Sequence, residues 1–226
     1  MESAADLPIL GYWDFRGLGT LIALAYHASD AKYAYKVYPV ADYNQWYEGD
    51  KPKLGMVLPD LPYLKDGDVL ISEHDAIIRH ILRKHKPSLL GRNAREMAEI
   101  DQYFTFWLKT NNIIRRYCYL QKDPTEADRK DLLNQFRAQL NSIDTLLAGR
   151  KYHMGDDYLT YPDIYLSEAI RMMRVVHKET AEQWNNINRL ADDIEKEPFY
   201  IEYKASPWYY EQLNGVTAHI NNRLIQ

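Results

Sequence analysis

The sequence predicts a chain in two parts, a small α/β unit to about residue 86 and an all-helical unit from about residue 92. Three observations carry this. A strand, a helix and a second strand follow one another between residues 8 and 38; an Asp-Gly turn stands between two apolar runs near residue 67; and beyond Gly91 the apolar positions keep helical spacing.

In chain order, residues 8–14 read as a short apolar strand and residues 18–27 as a helix carrying Leu21, Ile22, Leu24, Ala25 and Tyr26. Tyr33, Tyr35 and Val37 then alternate with Ala34 and Lys36, the two-residue period of a strand with one buried face, and Pro39 ends it. Residues 40–59 hold Gly49, Pro52, Gly55 and Pro59 with little periodicity, so a long loop is expected, of a length usually given over to function. Trp46 is its conspicuous residue. Residues 61–64 and 69–71 flank Lys65-Asp66-Gly67-Asp68 as a β-hairpin, and residues 73–85 form a helix closed by Pro87 and Gly91. The helical part offers four candidates, 92–120, 125–147, 162–177 and 180–197, broken by Asp123-Pro124, Gly149 and Gly155. Thr160-Tyr161-Pro162-Asp163 is a capping box, with a hydroxyl at the helix start, proline in the first turn and an acid three residues on.

Composition narrows the function. At 226 residues, with 46% hydrophobic and 27% charged side chains, the chain is globular rather than disordered, collagenous or coiled-coil. Lys and Arg number 28 against 32 acids, a net charge of -4 with no basic stripe, which argues against nucleic acid as a partner. One cysteine, Cys118, cannot form an internal disulfide and fits a reducing, intracellular setting. No apolar run reaches the ~20 residues of a membrane span, and two acids within Met1 to Asp6 argue against a signal peptide or cleaved presequence. The expected location is the cytoplasm, or an organellar assembly reached without a cleaved presequence. Nineteen Tyr and five Trp exceed what such a core buries, so some should line a cleft or an interface.

Generic catalytic motifs are missing. Gly11, Gly17 and Gly19 lack the GxGxxG spacing, and there is no GxSxG or HExxH; His80 and His85 stand five apart, off the i, i+4 face a metal needs, so no metal is expected. Taken alone, Tyr12 in an apolar strand reads as a core tyrosine.

The order of elements comes with specific runs: Ile9-Leu10-Gly11-Tyr12-Trp13-Asp14-Phe15-Arg16-Gly17-Leu18, Gln45-Trp46, Lys51-Pro52-Lys53-Leu54-Gly55, Leu61-Pro62-Tyr63-Leu64, Asp66-Gly67-Asp68-Val69, Ala76-Ile77-Ile78-Arg79 and Lys84-His85. Weaker echoes follow at Gly155-Asp156 and Tyr203-Lys204-Ala205-Ser206. Together they resemble the glutathione transferases, most closely the Mu class and its helminth relatives. The resemblance implies a thioredoxin-like domain over residues 1–86, an all-helical C-terminal domain over 92–226, a cleft between them, a homodimer, and glutathione as co-substrate. Tyr12 takes the place of the catalytic tyrosine, whose hydroxyl holds the sulfur as thiolate. Trp13, Trp46 and Lys51 match ligand positions, with Lys51 and the Trp46 N–H expected at the glycine carboxylate. Leu61, before a Pro62 expected to be cis, should pair its backbone with the cysteinyl part. Tyr119 matches a tyrosine that assists some conjugations, near an electrophile site shared with Trp208, Tyr209 and Tyr210.

Departures gather at the γ-glutamyl end. Where the family carries Gln-Ser at the start of the third helix, this chain has Glu73-His74, and His74 loses the small hydroxyl that faces an anion at a helix N-terminus. The family's loop arginine falls on Tyr43, its asparagine on Asp60, and the acid that reaches across from the other subunit falls on Lys109. Each lost charge-assisted bond is worth ~1.5–3 kcal/mol, so the losses together weaken glutathione binding by powers of ten. Two readings follow from the resemblance. One is a transferase weak or lapsed in conjugation and reused as a binding or structural component of an assembly, either as a homodimer or with other subunits; the other is an active transferase with Tyr12 activating the thiol.

Overall fold

The computed structural model describes residues 7–221, so the acidic start, residues 1–6, lies outside it. Its contacts divide these residues into two units, one running to Lys86 and taking in Phe199–Val216, the other Pro87–Pro198 with the stretch that begins at Thr217.

The first unit is built on a four-stranded mixed sheet in the order β2-β1-β3-β4. β1 (Ile9–Trp13) pairs in parallel with β2 (Ala34–Tyr38) and antiparallel with β3 (Tyr63–Asp66), which returns as β4 (Val69–Ser72). Helix α1 (Gly19–Ala28) makes the crossover and is buried along nearly its whole length, as an apolar run without a polar face must be. Gly11 sits opposite Tyr63, and a Cβ there would fall 2.1 Å from the Tyr63 ring, so the close approach of β1 and β3 requires glycine. The hairpin turns at Gly67 and Asp68 between the Asp66↔Val69 pair, with Gly67 at φ +62. Helix α2 (His74–His85) packs on α1 through Ile77, Ile78, Ile81 and Leu82.

Residues 40–59 are not the structureless loop expected. A π-helical turn, Gln45–Asp50, runs into a 3₁₀ turn, Lys51–Lys53. It is anchored to the sheet because the Asp50 carboxylate accepts the Tyr38 hydroxyl (2.5 Å) and pairs with Lys36, while Tyr38 and Tyr63 share a further hydroxyl bond (3.1 Å). The bonds from Lys36 and Tyr38 hold the Asp50 carboxyl below its ordinary range. A carboxyl depressed in the folded state contributes stability at pH above its unfolded value and loses it as pH falls through the folded one. Asp50→Asn is therefore expected to lower stability at pH above the ordinary carboxylate range and to approach the wild type as pH falls below it, flattening the acid limb, read by thermal melts across that window.

The second unit holds helices alone, with one isolated bridge between Tyr152 and Gly155 among the described residues. Helix α3 (Ala94–Leu120) packs on α6 (Tyr161–Ala181), which also meets α4 (Glu126–Asn134) and α7 (Asn185–Ile194); α5 (Arg137–Leu147) meets α7. The single helix expected over 125–147 is two, parted at Gln135 and Phe136, and the one expected over 180–197 is confined to α7. Helix α8 (Pro198–Ala205), which from Phe199 on belongs to the first unit, buries Tyr200 and Tyr203. The capping box is present at the start of α6, where Asp163, fully buried, accepts the Thr160 N–H (2.8 Å) and hydroxyl (2.7 Å). Its other oxygen accepts the His153 backbone N–H (2.8 Å) and meets Nδ1 of the same residue (2.6 Å). Because the Trp107 indole can only donate, its bond to His153 Nε2 (3.2 Å) makes that nitrogen the acceptor and Nδ1 the protonated one.

Candidate functional site

β1 carries Tyr12 to the edge of the loop that precedes α1. The side chain is buried, and its hydroxyl oxygen accepts the Leu18 backbone N–H at 3.0 Å. Accepting an amide polarises the O–H and makes it a better donor, the property a thiolate-holding group needs. The loop wraps the phenol so closely that a Cβ on Gly17 would stand 2.3 Å from the hydroxyl oxygen, at φ +40, where a side chain is strained in any case. Gly17→Ala is expected to shift Tyr12 and to cost ~1–3 kcal/mol, read in a denaturant melt.

The residues after α8 hold that loop in place. Arg16 N–H donates to the Gln212 carbonyl (2.9 Å) and Gly17 N–H to that of Leu213 (3.0 Å). The buried Arg16 guanidinium donates to the Tyr210 carbonyl (3.2 Å) and the Tyr200 hydroxyl (3.0 Å), and lies 4.8 Å from the Tyr209 ring centre. Arg16 lies within the matched run, where nothing in its neighbours sets it apart. Its contacts, separated by more than 180 residues, left no local signal.

Trp46 is fully buried, stacked on Tyr63 (5.9 Å, 13°) and edge-on to Tyr38 (5.3 Å), with Trp13 and Leu61 packed against the cluster. Its indole N–H is closed from solvent with no acceptor within reach among the described residues. The Lys51 ammonium lies 5.9 Å from the Trp46 ring and 5.3 Å from that of Tyr47, so a carboxylate arriving here meets Lys51 first. Trp13 also touches Tyr43 and Tyr47, an aromatic surface where the resemblance would put an arginine.

The Leu61-Pro62 bond is cis, as expected. The Leu61 backbone is expected to pair with the cysteinyl part, and its N–H donates to Asp60 Oδ1 at 2.9 Å. Next along, Glu73 holds φ +65, a left-handed strain that a non-glycine residue keeps only where its surroundings enforce it. α2 then starts at the buried His74 with no side-chain cap, leaving first-turn amides that favour an anion.

Tyr12, Trp13, Trp46, Lys51, Leu61, Glu73 and His74 thus all belong to the first unit, where Trp13, Trp46 and Leu61 are in one packed cluster. Tyr119, half-buried, and Lys109, exposed, lie on α3 in the second. Trp208 stacks on Tyr35 (5.3 Å, 14°). Among the described residues no three His, Cys, Asp or Glu side chains gather as a metal site requires.

Residues 96–198 match the family model for the glutathione S-transferase C-terminal domain. Human glutathione S-transferase Mu 5 is 32% identical over 221 residues, spanning 95% of this chain and 98% of that protein. The chain belongs to the glutathione S-transferase family. Chicken glutathione S-transferase 2 is 30% identical over 191 residues, 82% of this chain and 84% of its own. Among solved structures, the glutathione S-transferase Blo t 8 superposes with a TM-score of 0.80 at 23% identity, covering 94% of this chain and 99% of that one. Rat hPGDS complexed with a quinoline does so with a TM-score of 0.74 at 19% identity, covering 88% and 96%. The thioredoxin-like sheet and helical part are therefore the transferase fold, and glutathione is the family's co-substrate. No helix among the described residues is long and apolar enough to cross a membrane.

Proposed function

We propose that this chain is a Mu-type transferase homologue with a partly dismantled γ-glutamyl site, weak or lapsed in conjugation and used inside the cell as a binding or structural component of an assembly. The observation that carries this reading is the Leu61 N–H, engaged by the Asp60 carboxylate rather than presented to a ligand. His74 at the start of α2 supports it, because its bulky ring takes the place of the small hydroxyl that would face the γ-glutamyl carboxylate. A donor already bonded to a carboxylate within the protein must give up that bond to serve a ligand, so it gains little from one. Passing the purified protein over immobilised glutathione tests it: the expected result is no retention and slow or absent conjugation of an aryl halide. Micromolar binding with ordinary turnover would overturn the reading.

A second reading rests on Tyr12, whose hydroxyl is built as a donor whatever the ligand's affinity. On that reading the protein conjugates glutathione to small electrophiles, with Tyr12 holding the thiolate and Tyr119 assisting. Tyr12→Phe is then expected to lower conjugation about 10²-fold with little change in stability, as loss of one preorganised donor does.

Dimerisation is proposed in the family manner. Val57 and Leu58 stand 95% and 66% exposed on one loop, and α3 and α5 enclose a hollow of about 410 Å³ lined by Tyr103, Phe106, Ile143 and Leu146. Leu58 of one copy would enter that hollow of another. Sedimentation at micromolar concentration should show a dimer that Leu58→Asp converts to a 26.6 kDa species.

A further inference from the structure

The first unit carries a second hollow, of about 440 Å³, lined from the end of α1 and the loop between it and β2 on one side and from α8 and the residues after it on the other. Its walls are Leu7, His27, Tyr33, Glu202, Ser206 and Trp208. It opens at the other end of β1 from the thiol site: Leu7 precedes the strand and Tyr12 lies near its far end, ~16 Å along at ~3.3 Å per residue, with Tyr35 standing between Tyr12 and the Trp208 wall.

The aromatic walls are held from behind. Trp208 stacks on Tyr35, Tyr33 stacks on Tyr26 (4.5 Å, 13°), and His27 stands edge-on to Tyr33 (6.0 Å, 88°). Rings fixed by other rings lose little freedom when a ligand lies against them. The hydroxyl oxygens of Tyr33 and Ser206 are closed from solvent with no partner among the described residues. Charge gives the direction. Asp30 and Glu202 face one lysine, Lys32, and His27 stands 4.0 Å from Glu202 with its pKa lowered by burial, an effect Glu202 opposes. The balance left by these groups is one negative charge.

We propose that this hollow binds a small planar aromatic amine, its ring against Trp208 and Tyr33 and its ammonium paired with Glu202. Aromatic faces attract a cation as well as a ring, so the two recognition elements reinforce one another. Glu202 is largely exposed, so its pairing sets the sign of the preferred ligand more than the strength of binding.

The test is a titration of the full chain, followed by amide and indole NMR signals, with tryptamine, neutral indole and indole-3-acetate as a set matched in ring and differing in charge. Tryptamine is expected to bind with a dissociation constant on the order of 10⁻³ M, shifting the signals of Ala31, Ser206 and Trp208, and to bind more tightly than indole or the carboxylate. Glu202→Gln should weaken it about threefold and Lys32→Glu strengthen it by a similar factor, both being surface changes that leave folding intact. Trp208→Ala should abolish it. Equal binding of indole-3-acetate, indifference to Glu202→Gln and Lys32→Glu, or shifts confined to the surroundings of Tyr12 and Trp46 would overturn the proposal. None of these outcomes depends on whether glutathione binds.

Discussion

Asp163→Ala is expected to cost about 3–5 kcal/mol of stability, the range for breaking a buried, multiply bonded charge. Its two oxygens serve the Thr160 N–H and hydroxyl, the His153 N–H and the His153 ring, all of them buried. Removing the carboxylate leaves these groups without acceptors, and the helix start loses its cap, worth ~1 kcal/mol by itself. Through His153 the loss reaches Trp107 on α3, so the packing of α6 on α3 is loosened from its first turn. Asp163→Asn keeps one acceptor oxygen but sets an amide against a donor, and it should fall between the wild type and alanine. Urea midpoints for the three proteins check the order, and an alanine variant within ~1 kcal/mol of the wild type would show that the cluster can relax around water.

Pairing His74→Ser with Lys109→Asp is expected to raise glutathione affinity by more than either change alone. The serine returns a small hydroxyl to the uncapped start of α2, where it can face the γ-glutamyl carboxylate; one charge-assisted bond of ~1.5–3 kcal/mol is worth about ten- to a hundredfold. The aspartate replaces a repelling ammonium, on the proposed dimer contributed by the partner, with an attracting carboxylate. Contacts to one ligand end couple, so the double variant should exceed the sum of the two free energies. Calorimetric titration of the four proteins checks this. At concentrations where the chain is monomeric the Lys109→Asp arm should fall silent, which separates a ligand effect from a general change of charge.

What could be read from the sequence was local. β1, β2 and the hairpin lie within a residue or two of their expected limits because alternation and an Asp-Gly turn are written into short stretches. The π-helical turn could not be read, since its anchors are Tyr38 and Lys36 on another element. The parting of α4 from α5 had no glycine or proline to announce it; Phe136 takes φ −97, ψ 0 and is buried. At the site, Tyr12 and the cis Pro62 followed from the matched runs. The Leu61 amide bonded to Asp60, and the sealed Trp46 N–H, depend on how neighbouring atoms settle in space, which residue identities do not record.

The Phe199–Val216 segment belongs with the first unit, its carbonyls paired to the loop beside Tyr12. A ribosome makes the chain in order, so the first unit emerges early yet lacks Tyr200, Tyr203 and the Gln212 and Leu213 acceptors until the Pro87–Pro198 helices have been synthesised. The guanidinium of Arg16 must remain hydrated until then, because its acceptors at Tyr200 and Tyr210 do not yet exist outside the exit tunnel. Translation therefore leaves the first unit without its Phe199–Val216 segment until the Pro87–Pro198 helices have been made.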